Sequence, residues 1–186
     1  MKKMLKNIFY FIIPFLGNFF FDRQYLTGKH FSKYGDGWWW VYKALWFQKV
    51  LGFNRHIPFP ISPTFRMSDY RNIVYGSNNM NNFQSPGVYF QNFSAKIILG
   101  DNVYIAPNVG IITANHDFEN LNSHVDGLDV IIGNNCWIGM NAVILPGVRL
   151  ANNIIVGAGA VVTKSFTEEN IVIGGNPARF IKKISE

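Results

Sequence analysis

The sequence predicts an all-β repeat protein, a stack of coils made of short strands, carried behind a helical, aromatic-rich N-terminal region. Three observations predict it. From Ile132 an aliphatic residue falls at every sixth position (Ile132, Ile138, Ile144, Leu150, Val156, Val162), and the same spacing occurs upstream at Leu99, Ile105 and Ile111. Three residues after these stand Asn102, Asn108, Ala114, Asn135, Asn141, Gly147, Asn153, Gly159 and Ser165. Seven of the nine are Asn or Gly, the residues that tolerate left-handed backbone, so a corner is expected every six residues. Two residues before the aliphatic positions lie Val103, Val109, Cys136, Ala142, Val148, Ile154 and Ala160, apolar and mostly small, as a second inward position on a strand requires. A helix cannot produce a period of six; stacked coils of parallel strands can, each burying its interior on the next. The period alone leaves the number of sides and the hand of the coil open.

Composition agrees with a packed core. Of 186 residues 48% are hydrophobic and 15% charged, which excludes a disordered chain. The single cysteine, Cys136, excludes a disulfide scaffold and a cysteine-rich zinc module; its inward position reads as inert packing.

The N-terminal region, residues 1–85, is different material. It holds 11 of the 17 Lys/Arg, 3 of the 11 Asp/Glu and 22 of the 30 aromatic residues. Its apolar run, Ile8–Phe21 behind Lys2, Lys3 and Lys6, is shorter than the roughly 20 residues a spanning helix needs. Pro14 and Gly17-Asn18 interrupt it, and no small-x-small cleavage site follows. Two readings stand: a helix packed on its own protein or a sister subunit, or a helix lying in a membrane surface with its lysines on anionic headgroups. Trp38-Trp39-Trp40, Tyr42 and Trp46 suit either. No basic–aromatic motif reads as a nucleic-acid module, despite the net charge of +6.

Several runs in the second half carry a family resemblance: Ile132-Gly133-Asn134-Asn135-Cys136-Trp137-Ile138-Gly139, Ala142-Val143-Ile144-Leu145-Pro146-Gly147-Val148, Val156 through Lys164, and Gly175-Asn176-Pro177-Ala178-Arg179. Over about residues 87–184 the chain resembles the hexapeptide-repeat acyltransferases, nearest the sugar O-acetyltransferase branch that includes galactoside and maltose acetyltransferases and enzymes of capsule and lipopolysaccharide synthesis. The resemblance implies a three-sided, left-handed parallel β-helix over 86–186 and a homotrimer with active sites between neighbouring prisms. Acetyl-CoA is the implied acyl donor and a sugar hydroxyl of a surface polysaccharide or its precursor the acceptor. The expected location is the cytoplasm, and the basic, aromatic N-terminal region suggests an acceptor presented at the inner face of the membrane.

The repeat breaks once. Ile111 and Ile132 lie 21 apart, so the frame slips and a loop must leave the coil at about Asn115–Asp129. It contains His116, Asp117, Glu119, His124, Asp126 and Asp129. From the residues alone, a bland solvated loop and a functional one are equally good readings. The resemblance places the catalytic base at His116, after Thr113-Ala114-Asn115. A histidine suits the task, since it takes a hydroxyl proton at neutral pH and returns it to the departing thiolate. Asp117 is the adjacent carboxylate that would orient it. Asn92, Gln91 and Asn115 are the expected acceptor contacts. By resemblance Trp137, Gly139, Met140, Ala158, Thr163 and Lys164 line the coenzyme A groove, the Gly139-Met140 turn supplies an N–H to the oxyanion, and Arg179 and Lys182 meet the phosphates. No metal is expected: a zinc site of the kind some repeat proteins share between subunits needs three histidines, and this half has His116 and His124 only. A trimer with no catalytic role is the rival class.

Overall fold

The computed structural model describes residues 2–184. All seven predicted Asn and Gly corners adopt left-handed backbone, with φ between 54° and 77°, at Asn102, Asn108, Asn135, Asn141, Gly147, Asn153 and Gly159. Ala114 and Ser165 are not among the positive-φ residues; the first opens the loop and the hydroxyl of the second accepts from Arg149 N.

Short strands lie between the corners. In chain order they are β1 (Arg66–Met67), β2 (Ile73–Val74), β3 (Tyr89–Gln91), β4 (Ile97–Leu99), β5 (Tyr104–Ile105), β6 (Gly110–Ile112) and β7 (Val130–Ile132). There follow β8 (Trp137–Ile138), β9 (Val143–Ile144), β10 (Arg149–Leu150), β11 (Ile154–Val156), β12 (Val161–Val162), β13 (Ile171–Gly174) and β14 (Arg179–Lys183). They form three sheets visited in rotation: β1-β3-β6-β9-β12, β2-β4-β7-β10 and β5-β8-β11-β13-β14. All pairings are parallel except the last, where β14 folds back antiparallel on β13. The chain therefore winds a three-faced coil.

Register shows the period directly. Ile132 pairs with Leu150, Ile138 with Val156 and Ile144 with Val162, so each turn of the coil is three hexapeptides. Each aliphatic and each small inward position named above is at most 4% exposed. Cys136 is among them. Its Sγ lies 3.2 Å from the Ala151 carbonyl oxygen, and burial raises its thiol pKa. It should stay unreactive toward a thiol reagent at pH 8 until the protein is unfolded; labelling of the native protein at the unfolded rate would contradict the packing.

The sheets begin at Arg66, earlier than the period is legible, because the first coils are longer than three hexapeptides: Met67 pairs with Phe90 and Ile73 with Ile97. On the third face the first coil has no strand. A 3-10 segment, Ser77–Gln84, stands there, and two buried asparagines take over the pairing. Asn79 donates to the Gly100 carbonyl (2.7 Å) and accepts from Val103 N; Asn82 donates to the Val103 carbonyl (2.9 Å) and accepts from Ile105 N. A side-chain amide has the donor and acceptor of a peptide, so these two close the edge of β5 that would otherwise be open.

This end of the prism is plugged by aromatic rings. Phe59, Phe65, Phe83 and Phe90 are fully buried, with neighbouring centroids 4.9–5.7 Å apart, and Tyr25 and Tyr75 extend the cluster. Beyond it lie α1 (Lys2–Phe20) and α2 (Gly37–Ala44), the latter continuing as a π turn over Leu45–Val50. Pro14 and Gly17 do not end α1, contrary to the interruption read from the sequence. Gly17 is where α2 comes close: a Cβ there would lie 3.1 Å from Val41 Cγ1. Among the described residues no helix is long and apolar enough to cross a membrane.

Candidate active site

The repeat break is a hairpin thrown out of one edge of the prism. Ile132 pairs forward with Leu150 at the regular spacing, but backward with Leu99, across a much longer stretch of chain. The gap between Ile111 and Ile132 is therefore one hexapeptide plus the excursion Asn115–Asp129. Both of its feet are bolted to the coil. At the first, the Gln91 side chain accepts from Thr113 N (3.1 Å) and Ala114 N (3.0 Å) and donates to the Ala114 carbonyl (3.0 Å). Buried Thr113 donates its hydroxyl to Gln91 O (2.8 Å). At the second, Leu128 N donates to Thr113 O and Lys96 N to the Asp129 carboxylate, both at 2.8 Å.

Above these feet the backbone pairs antiparallel. Asp117 N donates to Ser123 O (3.0 Å) and Val125 N to Asn115 O (3.1 Å), with His116 facing His124. The turn is closed by Asn120, whose carbonyl accepts from Ser123 N and whose side chain accepts from Asn122 N. The two imidazoles lie with centroids 4.2 Å apart at 33°, and Phe93 meets His124 edge-on at 4.9 Å.

One contact orients the His116 ring. Its Nδ1 is 2.9 Å from the Leu121 carbonyl oxygen. A carbonyl only accepts, so Nδ1 carries a proton, and in the neutral ring the lone pair is on Nε2. Asp117 does not hold the ring, contrary to the expectation from sequence: its carboxylate accepts from Glu119 N (2.8 Å) and caps its own turn. Adjacent residues on an extended segment point to opposite sides.

The three expected acceptor contacts have different fates. Asn92 is fully buried; its Oδ1 accepts from Asp69 N (3.1 Å) and its Nδ2 donates to the carbonyls of Asp69 (2.7 Å) and Asn72 (3.2 Å). It is a bracket between coils and touches nothing outside. Gln91 is spent on the loop foot. Asn115 is exposed beside His116, the one of the three that is open to solvent and not spent within the coil.

The expected coenzyme residues form two groups. Trp137 (53% exposed) stands in the outward row Tyr104–Trp137–Ile155–Val172–Lys182 of the third sheet. At the corner after that sheet, Ala106, Gly139 and Gly157 stack by backbone hydrogen bonds, and a Cβ on Gly139 would lie 2.7 Å from Val156 O and Ala158 N. Exposed Met140 and Ala158 flank this bare corner, and Arg179, paired with Gly174, stands at its end. Thr163 and Lys164 are exposed too, but they follow β12 and so lie on the edge from which the hairpin leaves. Among the described residues Lys164, Arg179 and Lys182 have no carboxylate partner, whereas Lys183 pairs with Glu168 at 3.1 Å. The first sheet separates the Gly139–Met140 corner from the hairpin edge, so a single chain does not bring His116 to that turn. The hairpin also projects apolar side chains that this chain does not cover, Phe118 (92% exposed) and Leu121 (69%). Among the described residues no three metal-ligating side chains cluster.

Six-residue repeats, asparagine and glycine corners and one extruded histidine hairpin define a hexapeptide-repeat coil. Residues 129–164 match the family described as bacterial transferase hexapeptide (six repeats), and the relatives this chain is similar to include galactoside O-acetyltransferases. It is 37% identical over 107 residues to galactoside O-acetyltransferase of Escherichia coli, covering 53% of this chain and 52% of that one. A galactoside acetyltransferase solved with coenzyme A superposes with a TM-score of 0.57 at 32% identity, over 67% of this chain and 61% of the other. A hexapeptide-repeat acetyltransferase of Vibrio cholerae solved with acetyl coenzyme A superposes at 0.58 and 26% identity, over 66% of each. The chain spans about half the length of the curated relatives it matches.

Proposed function

We propose that this protein is an acetyl-CoA-dependent O-acetyltransferase acting on a sugar hydroxyl of a surface polysaccharide, a lipopolysaccharide or a precursor of one. The observation that carries the reading is the Leu121 carbonyl on His116 Nδ1, which orients the ring from a braced hairpin and leaves Nε2 as a base. Nε2 takes the acceptor's hydroxyl proton while that oxygen attacks the thioester carbonyl carbon. The tetrahedral intermediate collapses with loss of the C–S bond, and the proton passes to the sulfur, giving the ester and free coenzyme A.

The same reading makes the coil left-handed and the working unit a homotrimer. The bare Gly139–Met140 corner and the exposed Trp137, Arg179 and Lys182 of one copy then form a groove that the hairpin of the next copy completes. This accounts for candidate residues divided between two edges and for an uncovered Phe118. Thr163 and Lys164 line the same seam, and the unpaired cations suit the phosphates.

The direct test supplies acetyl-CoA with a panel of free, nucleotide-linked and lipid-linked sugars and titrates the thiol released. Acceptor-dependent release supports the reading; none with any acceptor favours a non-catalytic trimer. Asp117→Asn is expected to change kcat and KM by less than about threefold, since its carboxylate serves only the turn. A loss of kcat near that of a His116 variant would make Asp117 the orienting group after all.

A further inference from the structure

We propose that the outer face of α1, together with the aromatic side of α2, is a docking surface for an anionic lipid membrane. Met4, Ile8, Phe11, Phe15 and Phe19 recur at helical spacing and form one stripe. Phe11, Phe15 and Phe19 are 81%, 74% and 76% exposed. The opposite side of the same helix is occupied: Ile13 is buried, and Gly17 comes close to Val41 and Trp38. An apolar stripe this continuous is not what a free solvated surface carries.

Aromatic rings also crowd the flank of α1 that meets α2. Phe9 stacks on Trp39 at 4.3 Å and meets Tyr42 edge-on at 5.8 Å, and Trp39, Tyr42 and Trp46 are each about half exposed. An apolar groove of about 360 Å³ runs between Ile13 and Leu16 on one side and Tyr42, Trp46 and Val50 on the other. Indole and phenol rings pair an apolar body with a polar tip, which suits the headgroup level of a bilayer.

Charge selects the occupant. Residues 1–53 contain eight Lys/Arg and two Asp, so this segment carries the whole net charge of +6. α1 has no acidic residue. Lys6 lies 5.2 Å from the Tyr34 ring and Lys49 4.5 Å from the Phe21 ring, their stems laid along apolar surface. A second copy meeting this face through its own would bring together two segments that each carry a net charge of +6. Anionic headgroups neutralise this charge. α1, about 28 Å long at 1.5 Å per residue, lies in the interface by its outer face while the protein fills the polar side that an isolated amphipathic helix leaves to water.

The test is co-sedimentation of the full chain with vesicles of phosphatidylcholine mixed with phosphatidylglycerol, against phosphatidylcholine alone, with tryptophan fluorescence as a second readout. Binding is expected to be at least about tenfold tighter on the anionic vesicles and to weaken with salt. The double variant Phe11→Ser, Phe15→Ser should lose it at least tenfold with an unchanged melting temperature, because both rings are already in water. Lys3→Glu with Lys6→Glu should abolish the anionic preference. Equal partition to both vesicle types overturns the proposal, as does a serine variant that still binds, or one whose oligomeric state changes while vesicle binding does not. None of these readouts depends on acetyl transfer, so the two proposals fail separately, and thiol release with a soluble acceptor should be the same in all these variants.

Discussion

Replacing His116 by alanine is expected to leave a folded protein that releases thiol from acetyl-CoA about 10²–10⁴-fold more slowly in the presence of acceptor, the range over which a positioned general base contributes. The loss should fall on kcat. His116 is exposed, and the hairpin is held by the Gln91 clamp, by the Asp117–Ser123 and Val125–Asn115 pairs and by the Asn120 turn, none of which uses the imidazole. The melting temperature should therefore move by no more than about 2 °C. His124→Phe keeps a flat ring 4.2 Å from His116 and should retain most of the activity. Were His124→Phe to lose the activity while His116→Ala stayed nearly as active as the parent, the base would be assigned to the wrong member of the pair. Equal activity of both variants and the parent would remove the catalytic reading while leaving the fold intact.

The second large effect is on stability. Asn92→Ala is expected to cost about 2–4 kcal/mol, because it strips partners from Asp69 N, Asp69 O and Asn72 O in a place water does not reach. For a chain of this size that is a fall in melting temperature on the order of 5–15 °C. The acceptor KM of whatever remains folded should be unchanged. A normal melting temperature with a raised acceptor KM would return Asn92 to the substrate and remove the bracket. Asn92→Asp is a useful companion: it keeps the acceptor for Asp69 N but loses the donor, and buries a carboxylate near two carbonyls, so it should be at least as damaging as alanine.

These outcomes divide along a physical line. The coil from Leu99 to Val162 was legible because each hexapeptide states its own geometry locally: an inward pair of apolar residues, then Asn or Gly where the backbone turns left-handed. The hairpin was legible as well, since an insertion into a strict period leaves a count that is no multiple of six between Ile111 and Ile132. Its histidine stood out for the same reason, although a base was assigned to it only by resemblance. The first coils were not legible, because turns longer than three hexapeptides and a 3-10 face closed by Asn79 and Asn82 carry no six-residue signal.

What lay in the order of residues, then, was the repeating unit, its interior and the place where it is interrupted. Tertiary structure alone decided which partner each amide and imidazole meets. Gln91 and Asn92 look like adjacent polar residues open to a sugar, yet one clamps the foot of the hairpin at Thr113 and the other brackets the preceding coil at Asp69. Asp117 stands next to His116 in the chain, while the group that orients the ring is the carbonyl of Leu121, brought round by a turn. Short-range conformational preference repeats and can be read along a chain; a hydrogen bond between neighbouring turns depends on where the winding sets two distant backbones side by side, and no local pattern encodes that.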